Sequence, residues 1–318
     1  MAEFVKAPEA QLELHRWLTS EQGVRWSREW IALETRKEPI KGHMYGMLHE
    51  ATKQSLLTAD PIWVSGEMCE IVSVARESFQ PESIEMSDFI VPTGFVYFEQ
   101  PQVIADRHGL DMPIGAFHWT PTAFQDKHNP EKDPEETRWG MALAMYSSMR
   151  VPHGDQDQAL IASLKTLGDP ALVPLHYTVV EFGEELGEGQ LYDEDGSYTA
   201  ADQWWKLIQS TLRLMQQRVA TQESMRTPRP TRRRMERGGF TDPADVLVIR
   251  LRRATVKHGE ETGEPRRHFS HRFPRAGHWR NQWYPSLGKH RQIYIDPTIV
   301  GDESLPLVIK KRYWKWDR

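Results

Sequence analysis

At 318 residues, with 39% hydrophobic and 27% charged side chains, the chain has a globular composition and room for one large domain or two ordinary ones. A single cysteine, Cys69, excludes an internal disulfide framework and a cysteine-based metal site, and points to a reducing, cytoplasmic setting. The net charge of −5 conceals a split: residues 221–318 hold 22 Lys+Arg against 11 Asp+Glu, a net of +11, while the rest holds 18 against 34. The first residues, Met1-Ala-Glu-Phe-Val-Lys6, lack a basic-then-apolar leader, and no apolar run has the length of a bilayer span, so no membrane role is expected.

In chain order, Leu12, Leu14, Trp17, Leu18, Trp26, Trp30 and Ile31 recur at helical spacing and predict a helix over 6–35, interrupted at Gly23. A second helix is expected over 41–57. From Pro61 the texture changes to short β-branched or aromatic runs parted by Pro, Gly and Ser. Strands are predicted at 62–64, 70–74, 94–98, 114–119, 139–146 and 175–182, with an exposed loop at 125–137. Thr199-Ala-Ala-Asp202 reads as a capping box opening a long amphipathic helix over 200–222, ended by Pro228 and Pro230. The run Thr231-Arg-Arg-Arg-Met-Glu-Arg237 can lie on a phosphate backbone, although the commoner role of such a run is a solvated linker. Four strands follow, at 246–256, 268–273, 291–295 and 307–316. The expectation is an α+β fold: an acidic domain over 1–198, with a helical N-terminus and a β-rich sheet, then a basic module over 199–318, in which the long helix covers an antiparallel meander.

The densest chemistry lies in 266–291, which holds four His, six Arg, one Lys and three large rings of the Trp/Tyr type. A strand at 268–273 puts His268 and Arg272 on one face and Phe269, His271 and Phe273 on the other. His271 on that apolar face is the kind of histidine that a core hydrogen-bonds. Gly277-His278-Trp279-Arg280 reads as a turn whose Arg can fork onto phosphate and whose Trp can stack a base; a plain packing turn is the equal alternative. The loop at 285–291 can cradle an anion, or carry solvated charge. As a set these residues are those that metal-independent RNA cleavage needs: an imidazole base, an imidazole acid and cations on the phosphorane. The candidate catalytic residues are His268, His278, Arg280, Tyr284 and His290. The candidate nucleic-acid contacts are Arg266, Arg267, Arg272, Arg275, Trp279, Trp283, Lys289 and Arg291. No cofactor is expected. A metal site is disfavoured, because Asp106, His108, Asp111, His118, His153, Asp155 and Asp157 lie scattered in loop-like sequence or at chance spacing.

His271-Arg-Phe273, Gly277-His-Trp-Arg-Asn-Gln-Trp-Tyr-Pro-Ser286, His290-Arg-Gln-Ile-Tyr-Ile-Asp-Pro297, Gly301 and Leu305-Pro-Leu307 resemble a block in uncharacterised proteins of actinobacteria and their phages. The helix near Trp204-Trp205 is similar too, so the resemblance spans roughly 200–318. It implies a mobile-element or phage-linked context and supplies no mechanism. Three functions follow as expectations: a ribonuclease of toxin or phage-defence type, a non-catalytic regulator binding RNA or DNA, or an adaptor whose basic module docks on an acidic protein surface. The acidic part of the same chain is one such surface.

Overall fold

The computed structural model describes residues 3–34, 39–105, 111–125, 133, 135–149, 170–184, 200–252, 270–271, 273–275, 277–286, 288–300 and 305–306. Helices α1 (Lys6–Thr19), α2 (Glu21–Glu34) and α3 (Pro39–Leu56) lead into β1 (Asp60–Val64) and α4 (Gly66–Glu77). Four longer strands follow: β2 (Gly94–Ala105), β3 (Asp111–Phe124), β4 (Arg138–Ser148) and β5 (Leu172–Glu181). Then come α5 (Ala200–Met215), β6 (Ala220–Met225), α6 (Arg229–Arg237) and β7 (Val246–Leu251). The chain closes with β8 (Phe273–Arg275), β9 (His278–Tyr284), β10 (Lys289–Ile295) and β11 (Thr298–Val300).

One seven-stranded sheet, in the order β5-β4-β3-β2-β1-β7-β6, organises the molecule. β2 to β5 run as an antiparallel meander, and β1 lies parallel to both β2 and β7. Strand alternation sends Ile62, Val64, Phe117 and Trp119 into a core with α4 and α5. It sends Trp63 toward Phe4 and Val5, and Ala116, Ala144 and Tyr146 toward α1, α2 and α3. The result is a sheet covered by helices on both faces. The α+β class expected from the sequence is the class observed.

Several elements differ from expectation. Residues 70–74 form part of α4 rather than a strand. The Ser65 side chain caps the helix by accepting from the Met68 N–H, and Met68, Cys69, Val72 and Ala75 are buried at helical spacing, which outweighs the β-branched texture. Burial pushes the Cys69 thiol up to about 12, so it sits in the core as an unionised group. The long helix stops at Met215, where Gln216 and Gln217 tighten the last turn and the Gln222 side chain donates to the Met215 carbonyl. Residues 220–225 then become the edge strand β6, pairing β7. The four-strand C-terminal meander is not formed as expected. β7 lies inside the large sheet, beside β1, because Val246, Val248 and Ile249 are fully buried there on its two faces. Residues 278–280 are a strand and not a turn, paired with β10 in a two-stranded hairpin. His271 lies in a bend before β8, which pairs β11. The boundary expected at 198/199 crosses this sheet, since β6 and β7 come from the basic segment and β1 to β5 from the acidic one. Thr199, Asp106, His108, His153, Asp155, Asp157, most of the 125–137 loop and the stretch 307–316 lie outside the described residues.

Candidate nucleic-acid interface

The β9–β10 hairpin carries most of the residues singled out above, so its register decides what they can do together. Cross-strand partners share a face. His278/Ile295, Arg280/Ile293, Gln282/Arg291 and Tyr284/Lys289 occupy one face; Trp279/Tyr294, Asn281/Gln292 and Trp283/His290 occupy the other. The hairpin therefore gathers His278, Arg280, Tyr284, Lys289 and Arg291 on one side and leaves His290 on the other. His278 and His290 are five residues apart along the ladder, about 17 Å at ordinary strand rise, and point to opposite faces. They do not flank a single phosphate as an acid–base pair. His268, Arg266, Arg267 and Arg272 lie outside the described residues. Arg275 sits beside His278, its guanidinium 3.2 Å from Nε2.

Much of the hairpin is engaged with the rest of the fold. The Trp279 indole donates to the Ala75 carbonyl at 2.7 Å and packs edge-on against Phe79 and Tyr294, which makes it a wedge between the hairpin and α4. Gly277 permits this fit, since a Cβ there would lie 2.1 Å from the Tyr294 hydroxyl. Gln292 is buried, accepts from the Gln80 N–H and donates to the Gln80 carbonyl and to Glu82. Lys289 and Arg291 both pair with Glu85. The hydrogen bond from Lys289, with the nearby cationic field, holds the Glu85 carboxyl below its usual range. Arg213 on α5 adds pairs to Glu82 and Asp88. So the acidic segment 82–88 neutralises two of the proposed nucleic-acid contacts. Replacing Gln292 by Ala should cost about 2 kcal/mol, because buried amide partners are left unmet; urea unfolding of the purified protein would show it as a lowered midpoint.

The hairpin does present one exposed ring. Trp283 is 47% exposed and lies tilted against His290, ring centroids 5.0 Å apart.

A second basic surface is better organised. The Arg-rich run at 231–237 is not a linker but the body of α6. Pro230 falls in the first turn, where no N–H is needed. Thr231 and Met235, one turn apart, are buried against α1, with Met235 joining Leu12 and Phe240. Gly239 adopts the left-handed region, φ 94°, and lets the Phe240 N–H return to the Met235 carbonyl, ending the helix. Anchoring Thr231 and Met235 inward turns the arginines outward. Arg234 pairs with Glu9 on α1, and Arg232 pairs with Asp245 at 2.7 Å. Arg226, Arg229 and Arg233 are exposed and hold no carboxylate partner among the described residues. Together with Thr227, Pro228, Arg232 and Glu236 they line an open groove of about 530 Å³. That volume is in the range of ligand-binding clefts, and four arginines against one glutamate line it. Sequence reasoning touched this run but placed the site at 266–291. The helix-start proline, the Gly238-Gly239 stop and the Thr231/Met235 spacing were the signals that it folds as a helix with one buried face.

Other chemistry is structural. Ser55 Oγ lies 3.3 Å from His118 Nε2, but His118 is 1% exposed beneath α3, and the contact is a core hydrogen bond. Among the described residues no three His, Cys, Asp or Glu side chains lie close enough to hold a metal ion. No helix among them is long and apolar enough to cross a membrane.

No family model matches the chain, and no curated protein matches it. Among solved structures it is similar to a crystal structure of AcrVA2, with 14% identity, a TM-score of 0.38 and coverage of 76% of this chain and 71% of that one. Similarity at that level says nothing about activity or partner.

Proposed function

We propose that the protein binds RNA or DNA through its phosphate backbone, using the groove of α6, and that it does so without cleaving it. The observation that supports this is the convergence of Arg226, Arg229 and Arg233, exposed and without carboxylate partners among the described residues, on one cationic groove held by a helix docked on α1. Arginine forks onto phosphate oxygens, and a helix that is fixed in place spends little entropy in presenting them. The cleavage reading draws less support, because the hairpin holds His278 and His290 apart and on opposite faces. The resemblance of residues 200–318 to uncharacterised actinobacterial and phage proteins supports a mobile-element setting for this binding.

Fluorescence polarisation with a labelled DNA duplex across a salt series tests the reading. Three phosphate contacts imply a slope of log affinity against log salt near −2.7, or about 40-fold weaker binding between 50 and 200 mM salt. Affinity indifferent to salt would contradict it, and so would the appearance of cleaved product in EDTA.

A further inference from the structure

We propose that the α6 groove takes duplex rather than single-stranded nucleic acid, a step that rests on the nucleic-acid reading above. Binding of single strands without sequence preference combines a cationic track with rings on which successive bases stack. Among the described residues the groove has the first component only. Its described lining is Arg226, Thr227, Pro228, Arg229, Arg232, Arg233 and Glu236, with no ring among them. Among the described residues of the basic segment, the exposed large ring, Trp283 beside His290, is on the hairpin. The sheet stands between the two. The hairpin packs through Trp279 and Tyr294 into the core of α4 and α5, whereas α6 rides on α1, which covers the opposite face. A nucleotide seated in the groove cannot stack on Trp283.

What the described lining offers a nucleic acid is charge. Arg229 and Arg233 are one helical turn apart on α6, and Arg226 enters from the end of β6. One turn is about 5.4 Å, and a duplex presents a phosphate charge per about 1.7 Å of axis, twice the density of one strand. The duplex also keeps its phosphates at fixed spacing, so a rigid arginine face meets them without ordering the ligand. Glu236, within the same wall, repels phosphate and limits how deeply the backbone enters.

The test uses the full chain with labelled DNA and RNA duplexes of random sequence and with their separated strands, at low salt. The expected result is duplex binding on the order of tenfold tighter than that of either strand, independent of sequence, and unchanged within about twofold in Trp283→Ala. Single strands bound as tightly as duplexes, or binding lost in Trp283→Ala, would overturn the duplex assignment and leave phosphate-backbone binding standing. Binding of neither form would overturn both.

Discussion

Lowering the pH from 7 to 5 is expected to destabilise the fold by about 4 kcal/mol, a large fraction of the 5–15 kcal/mol that holds an ordinary domain together. Two imidazoles carry this. His118, 1% exposed beside Ser55, is pushed down to about 3 by burial. His49, 4% exposed, is pushed down to about 4 by burial and then by the nearby Lys53, against a smaller opposing pull from Glu50, and its ring bonds to the Tyr177 hydroxyl at 2.9 Å. In the unfolded chain both protonate near pH 6.5; in the folded protein neither does until well below 5. The unfolded state therefore binds more protons throughout this window, and stability falls as pH falls, by about 2 kcal/mol for each group at pH 5. His176, half-buried against Trp204 and pushed down to about 3 by burial, and His15, lowered by burial and then by Lys53, act in the same direction and add to the contribution of these two. Asp60, Glu99 and Asp296, raised first by burial, act the other way and mostly nearer the carboxylate range. Urea unfolding at the two pH values measures the difference, which should shrink in His118→Gln. Equal midpoints at pH 7 and pH 5 would show that these rings are not held neutral.

Replacing Arg226, Arg229 and Arg233 together by Ala is expected to lower nucleic-acid affinity on the order of a hundredfold at low salt, about 1 kcal/mol for each lost phosphate contact. The fold should be indifferent to the change, because the three side chains are exposed and hold no ion pair among the described residues. Thermal unfolding of the variant should match the parent within a few degrees. Arg234→Ala makes a useful contrast. It breaks the pair with Glu9 and loosens α6 from α1, so its effect on binding should come with a loss of stability. Binding unaffected by the triple change would move the interface elsewhere, to the hairpin or to residues such as Arg266 and Arg267.

Local pattern carried the strands at 62–64, 94–98, 114–119, 139–146 and 175–182, and also α3, because period-two and period-3.6 apolar spacing are properties of short windows. It misread 70–74, where a serine cap and burial at helical spacing matter more than β-branched residues. It could not see β7 entering the large sheet, since that depends on β1 as a parallel partner far away in sequence. The site shows the same limit. Residues 266–291 are rich in charge, yet the partners that occupy Lys289 and Arg291 lie about 200 positions earlier, at Glu85. The possibility that the acidic part meets the basic part was legible in the charge split; which arginines would stay free was not. That depends on Glu9 and Asp245 engaging Arg234 and Arg232 and leaving Arg226, Arg229 and Arg233 unclaimed.

The most direct measurement of the central claim is the salt slope of binding to one labelled DNA duplex, for the parent chain and for the triple Ala variant. Phosphate contact through α6 predicts a slope near −2.7 for the parent and a loss of about 0.9 for each arginine removed, leaving the variant nearly flat. A variant that binds with the parent's slope would contradict it.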